Sequence, residues 1–405
     1  MWIVRRKYVD RARKTLDFEA DYWQTLRIVG GEDWMGQKQY GWPEKDDINL
    51  MKNIVHYTGD WGYPVLIQRN NFKHKSLSCW SINPFVGCLH ACRFCYVPST
   101  FSPPVEALLS KAGVQDCGEQ WGQYAFLRTW DEAAFLKSLA TAERTPASEL
   151  NIDGNRAVML STTTDAYQTL RGSNGAETLE LNKRARVTVR RMLELIRDRS
   201  SLNVRILTRS PLARQDFDLY KTFGDRLLFG MSLPTLNDQL ARVYEPKAPA
   251  PSLRLETLKL AASMGIPVYV AVAPTYPEQG EEDLAKVLGE VAALQPVTVF
   301  HEPINIRLEN VERMKREAQT LGFEFMDDVF ATKENWEGYA ITQLLTAQTV
   351  AKKLGLGSVF HPWPDSTLGS KRVRYAFGSG YSNWIDECWN RVSAWPCAQA
   401  ERIAA

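Results

Sequence analysis

Between residues 156 and 303 the chain alternates short apolar runs with amphipathic stretches, and few folds accept that pattern. The runs "RAVMLST" (156–162), "NVRILT" (203–208), "RLLFGMSL" (226–233), "PVYVAVAP" (267–274) and "VTVFHEP" (297–303) are apolar, mostly rich in β-branched residues, and too short for helices. Between them lie "ETLELNKRARVTVRRMLELIRDR" (177–199), "PSLRLETLKLAASMG" (251–265) and "EEDLAKVLGEVAAL" (281–294), whose apolar residues recur at helical spacing. Strands apolar along their whole length, each followed by a helix, build a parallel sheet covered by helices. The spacing predicts an α/β fold, a full or partial βα barrel.

In such a barrel the reactive groups stand at the C-terminal ends of the strands and in the loops that follow. That rule selects Ser161 to Asp165, Thr208 to Ser210, Ser232 to Thr235, Ala273 to Thr275 and His301 to Arg307. Residues 1–80, rich in Trp, Tyr and Gly with little periodicity, read as an irregular extension packed on the barrel. Residues 81–305 form the core, and residues 306–405 a C-terminal α/β cap with one clear helix, "YAITQLLTAQTVAKKLG", expected to close one end.

Charge narrows the partners. Lys and Arg total 49 against 47 Asp and Glu, and a net charge of +2 gives no general attraction to nucleic acid or to an anionic membrane. No apolar run approaches the ~20 residues that span a bilayer, and "MWIVRRKYVDRARK" lacks the pattern of a secretory signal, so a cytoplasmic location is expected. Seven cysteines, an odd number with three gathered in one place, do not form a disulfide framework; a reducing compartment and a metal or redox role fit better.

Those three are Cys88, Cys92 and Cys95, spaced C-x3-C-x2-C in "VGCLHACRFCYVP" (86–98). Thiolates this close can wrap a turn of backbone around one metal centre, whereas disulfides between such near neighbours are strained. A structural zinc would take four ligands, and His90 within the loop would complete a Cys3His set. A 4Fe-4S cluster takes one cysteine per iron, so three would leave one iron open to a small molecule. The loop taken alone leaves both alternatives standing.

The wider sequence carries a resemblance. "SINPFVGCLHACRFCYVP", with Phe94 before the last cysteine and Tyr96 after it, resembles the cluster loop of the radical S-adenosylmethionine (radical SAM) enzymes, in their spore photoproduct lyase-like branch. "LSTTTDAYQ" (160–168), "ILTRS" (206–210), "FGMSLPT" (229–235) and "YEPKAPAPSLRLETLKLAASMGIPVYVAVAPTYP" (244–277) are similar to that branch in order and spacing. The resemblance covers roughly residues 80–300 and implies a partial (βα)6 barrel in which the three cysteines hold a 4Fe-4S cluster. It further implies that the open iron binds S-adenosylmethionine, that reductive cleavage yields a 5'-deoxyadenosyl radical, and that a reductant such as flavodoxin or ferredoxin supplies the electron.

Carried over residue by residue, it assigns the methionyl ammonium to Ser161, Thr162 and Thr163 and the methionyl carboxylate to Arg209. It assigns a ribose or methionine contact to Ser232 and the adenine-facing backbone to Ala273 and Pro274. Tyr96 would relay a hydrogen atom. In the branch's namesake a cysteine within the segment matching "STTTD" returns a hydrogen atom to the product; Thr162 stands here, and its O–H bond is too strong for that task. Dimer repair is therefore not the expected reaction.

His301 and Glu302, at a strand end that a barrel would turn inward, are the first substrate-side candidates, ahead of His361. Asp165, Tyr167 and Gln168 are a second set that would face substrate, and Glu245 with Arg254 reads as a structural ion pair. Cys79, Cys117, Cys388 and Cys397 read as structural thiols. The balanced charge and the missing cysteine favour a small-molecule or peptide substrate. A nucleic acid or nucleotide substrate would instead need a basic, aromatic groove, for which "GSKRVRYAFGSGYSNW" offers the residue types. A zinc- or cluster-binding module without catalysis is the remaining class.

Overall fold

A computed structural model describes residues 57–70, 75, 77–151, 154–307 and 309–393. The expected extension over residues 1–56, and Cys397, lie outside the described residues. From residue 57 onward the chain is not irregular. Strands β1 (Tyr57–Pro64), β2 (Gln68–Arg69), β3 (Trp80–Ile82) and β4 (Phe85–Gly87) follow one another before helix α1 (Pro103–Lys111), β5 (Tyr124–Thr129) and α2 (Glu132–Glu143).

The predicted alternation then appears. It runs β6 (Ala157–Leu160), α3 (Gly175–Arg199), β7 (Asn203–Thr208), α4 (Phe217–Lys221), β8 (Leu227–Ser232), α5 (Asp238–Tyr244), α6 (Pro251–Ser263), β9 (Val268–Thr275), α7 (Glu281–Ala293) and β10 (Thr298–Pro303). The C-terminal part adds α8 (Asn310–Thr320), α9 (Asp328–Ala331), α10 (Lys333–Lys353), β11 (Phe360–Pro362) and α11 (Lys371–Asn390).

The main sheet has the order β11-β10-β9-β8-β7-β6-β3-β2, parallel throughout except where β2 meets β3. Its edges β11 and β2 do not pair with each other, so the barrel is open on one side. The region expected to be only a cap therefore also supplies the last strand. A smaller sheet, β1-β5-β4, stands beside it and carries the cysteine loop directly after β4.

Strand alternation divides the sheet into two faces. Ile82, Leu160, Ile206, Phe229, Val270 and Val299 pack outward against helix residues such as Val189, Leu258 and Val287. Leu228, Tyr269, Phe300, Met159 and Trp363 fill the interior. Gly230 belongs to that inner set, and a Cβ there would meet the Tyr269 ring at 2.3 Å, so the aromatic plug requires a glycine. Each fully buried Leu or Val contributes roughly 2 kcal/mol by its removal from water. Helix α3 begins at Asn174, whose side chain accepts from the Glu177 amide, and its arginines meet acids: Arg190 with Asp216 and Asp218, Arg191 with Glu132. Arg190 and Arg191 thus belong to an ion-paired outer face of the helix.

Candidate active site

The same alternation sorts the expected site residues. Ser161 follows inward Met159, Arg209 follows inward Arg205 and Leu207, Ser232 follows Leu228 and Gly230, and Ala273 follows Tyr269. Glu302 follows inward Phe300. All five therefore stand on the inner face at the C-terminal end of the sheet.

His301 does not. It shares the outward parity of Val299, stacks on Phe360 at 5.8 Å, and pairs its Nε2 with the Thr275 hydroxyl at 3.2 Å. The expectation that His301 and Glu302 both turn inward is corrected for His301, because neighbours on a strand point to opposite faces. Burial lowers its pKa to about 3, so it is a neutral core histidine. His361 is also buried and neutral, lowered to about 3 by burial first and then by Arg391 and Arg205; it packs against Phe300 inside the barrel.

The cysteine loop leaves β4 at Gly87, whose φ of 92° and close approach to Tyr124 (2.4 Å from a would-be Cβ) exclude a side chain. Cys88 and Cys92 are buried and Cys95 partly so, and all three are free thiols. Burial pushes Cys92 up to about 12 against the pull of Arg209. Burial raises Cys88 as well, helped by Asp165 and by Cys92 and Cys95, so the three thiols feel one another. Such a set is ionised only beside a strong positive charge, which iron supplies. The donors thus fit an iron-sulfur cluster. His90 is engaged elsewhere, its Nδ1 3.3 Å from the Asp165 carboxylate, which speaks against the Cys3His zinc set. Among the described residues no three His, Cys, Asp or Glu side chains converge as a single ion demands.

The strand-end run after β6 is laced to the loop. Asn83 donates to the Thr162 hydroxyl at 2.9 Å and accepts from the Thr163 amide at 2.9 Å. The Thr164 hydroxyl donates to the Gly87 carbonyl at 2.6 Å, and the Leu89 amide donates to Gln168 Oε1 at 2.7 Å. Asp165 accepts from the Thr208 hydroxyl (2.7 Å) and the Arg209 amide (2.8 Å). Burial would raise its carboxyl, but His90 and these donors outweigh it and hold the pKa at about 2. Tyr167 is buried against Asp216 and Tyr220. Asp165 and Gln168 therefore hold the loop, and Tyr167 is engaged in the core away from it.

Across the mouth, Glu245 is buried between Arg209 (2.5 Å) and Arg254 (2.6 Å), confirming the expected Glu245–Arg254 ion pair. The Ser232 hydroxyl donates to the Ala273 carbonyl at 2.8 Å. Tyr96 is half-exposed, and its hydroxyl donates to the Thr162 carbonyl at 3.1 Å. Glu302 lies near Tyr96 and is paired with Lys75 at 2.5 Å.

Sequence reasoning missed the far anchor of the loop. Asn310 donates to the Phe94 carbonyl (3.2 Å), Arg313 to the carbonyls of Arg93 (3.3 Å) and Cys95 (3.0 Å), and Glu317 pairs with Arg93 (2.7 Å). The three share one face of α8, and the spacing i, i+3, i+7 was the available signal. Cys79 is buried and accepts from the Asn151 amide, and Cys388 is buried.

Comparison with known proteins places this arrangement. The family model described as the Radical SAM superfamily matches residues 82–291. An uncharacterized protein of Acidianus two-tailed virus is 32% identical over 241 residues, which is 58% of this chain and 69% of that one. An uncharacterized protein of Methanocaldococcus jannaschii is 25% identical over 220 residues, 54% of this chain and 67% of that one. Among solved structures, a mutant of spore photoproduct lyase aligns with a TM-score of 0.50 at 13% identity, over 75% of this chain and 80% of that one, a likeness of fold.

Proposed function

The chain belongs to the radical SAM superfamily, and from that premise we propose an enzyme that acts on a small molecule or peptide at the mouth of its open barrel. Its cofactors are those of the superfamily, a 4Fe-4S cluster and S-adenosylmethionine. We assign the cluster to Cys88, Cys92 and Cys95. When bound, the two cofactors supply reductive cleavage of the sulfonium to a 5'-deoxyadenosyl radical, which abstracts a hydrogen atom from the substrate. Ser161, Thr162 and Thr163 offer hydroxyls and carbonyls to the methionyl ammonium, and Arg209 its guanidinium to the carboxylate. Ser232 and the backbone of Ala273 and Pro274 line the nucleoside side. Glu302 and Tyr96 are the substrate-side groups, whereas His301 supports β9 from outside through Thr275. The electron comes from a reductant such as flavodoxin or ferredoxin, in the cytoplasm, where cluster thiols stay reduced. No described helix is long and apolar enough to cross a membrane.

The observation that carries this reading is the convergence of Ser161, Arg209, Ser232, Ala273 and Glu302 on one inner rim beside three free thiols, two of them buried. A nucleic-acid groove on the C-terminal helix has weaker support. Arg372 is tied to Glu334 and Glu337 and Arg374 to Asp386, which leaves exposed Tyr375 and Phe377 without a free basic stripe.

The test is anaerobic reconstitution with iron and sulfide, followed by measurement of 5'-deoxyadenosine under a strong reductant. The wild type is expected to form it and Cys92→Ala to lose it. Zinc in place of iron, or no cleavage by a fully loaded protein, would sink the proposal.

A further inference from the structure

Beside the cysteine loop lies a cavity of about 310 Å³, lined by Gln68, Asn70, Asn83, Tyr96, Thr163 and Arg128, among others. Its wall comes from β2, β3 and β5 together with the turn after the cysteines, on the side where the barrel is open. The strand ends that carry Arg209, Ser232 and Ala273 do not line it.

Arg128 is the unusual member. It projects from β5 and is half-buried, yet its side chain has no hydrogen bond or ion pair with any described residue. Burial alone depresses its pKa, with no carboxylate opposing the shift. The other arginines near the site each have a partner: Arg209 and Arg254 share Glu245, and Arg313 donates to two carbonyls. A guanidinium moved partly out of water without a partner is unfavourable, and a ligand anion would remove that penalty. Its planar fork suits a carboxylate or phosphate, and the amides and hydroxyls around it suit a strongly hydrated group.

We infer that Arg128 is the subsite for an anionic group, a phosphate or a carboxylate, carried by the substrate. This deepens the reading above and rests on it, because Tyr96 and Thr163 join the cavity to the cofactor rim. The volume, at the small end for ligand pockets, suits a molecule the size of an amino acid or a nucleoside.

The experiment is calorimetric titration of the reconstituted protein with inorganic phosphate and, separately, acetate, each with and without saturating S-adenosylmethionine. One anion per chain is expected to bind in both states, with the tighter of the two probes naming the substrate group. Arg128→Gln should weaken that anion about tenfold or more and Arg128→Lys less, with thermal unfolding used to verify that each variant is folded. Displacement of the anion by S-adenosylmethionine would assign Arg128 to the cofactor's own carboxylate and overturn the inference. So would absence of anion binding by the wild type, or equal binding by Arg128→Gln. None of these readouts requires turnover, so failure of 5'-deoxyadenosine formation is a separate result that bears on the radical reading alone.

Discussion

The cysteine loop is held from two sides, and the two sides are built from different materials. On the barrel side, mostly neutral groups close to the strand ends do the holding: Asn83 on Thr162 and Thr163, Thr164 on Gly87, Gln168 on Leu89, with one charge among them, the Asp165 carboxylate on His90. On the other side, α8 reaches back more than 200 residues with charge: Arg313 on the carbonyls of Arg93 and Cys95, and Glu317 on Arg93. The neutral side fixes the entrance of the loop. The charged side fixes its last turn and places a second positive group beside Cys95, where it joins Arg209 in opposing the rise in pKa that burial causes. Charge thus makes up most of the second anchor and only one contact of the first, and α8 lies beyond residues 82–291 that match the family.

The largest effect is expected where the charge is removed. Arg313→Met keeps much of the volume but leaves two backbone carbonyls without their donor and Cys95 with Arg209 alone of its two nearby cations. A loss of about 3 kcal/mol in urea unfolding is expected, by analogy with charge-assisted bonds in buried sites, together with a severalfold fall in iron retained after reconstitution. Iron content equal to the wild type would remove the electrostatic half of the comparison. A change in stability without one in iron would reduce α8 to a structural brace.

Gln168→Leu should do less. It strands the Leu89 amide, at a cost of about 1–2 kcal/mol, and touches no charge near the thiols, so iron retention is expected to stay close to that of the wild type. The double variant sharpens the point. Independent anchors give additive losses, whereas a coupling above about 0.5 kcal/mol would mean that the loop responds as one body.

The distance between these anchors explains what could be read in the sequence. The barrel was legible because each strand and helix announces itself within a window of a dozen residues, and the inner rim followed from parity: once β6 to β9 are placed, Ser161, Arg209, Ser232 and Ala273 must face inward. The same parity, applied one residue more carefully, would have turned His301 outward and left Glu302. The loop's thiols were legible as a motif. Arg313 and Arg128 were not, because nothing local marks them: one acts across the fold from a helix whose spacing looks like any amphipathic surface, and the other matters only because no described residue pairs with its side chain. Strand β11 was missed for a related reason. Its three residues, Phe360–Pro362, are too few for periodicity and join the sheet only because β10 offers an edge.

The smallest expected effect follows from removing the metal and leaving the chain intact. Both anchors are protein groups, so stripping iron from the reduced protein with a chelator, without oxygen, should leave them in place while the thiols take up protons. Hydrogen exchange then separates the loop's parts. The amides of Leu89 and Thr163, bonded to the side chains of Gln168 and Asn83, should change in protection by less than about threefold. The Cys95 amide, which donates only to the Cys92 carbonyl within the loop, should exchange faster by a larger factor. If Leu89 and Thr163 open together with Cys95, the metal and not the two anchors holds the loop, and the division of labour between the two sides exists only in the loaded enzyme.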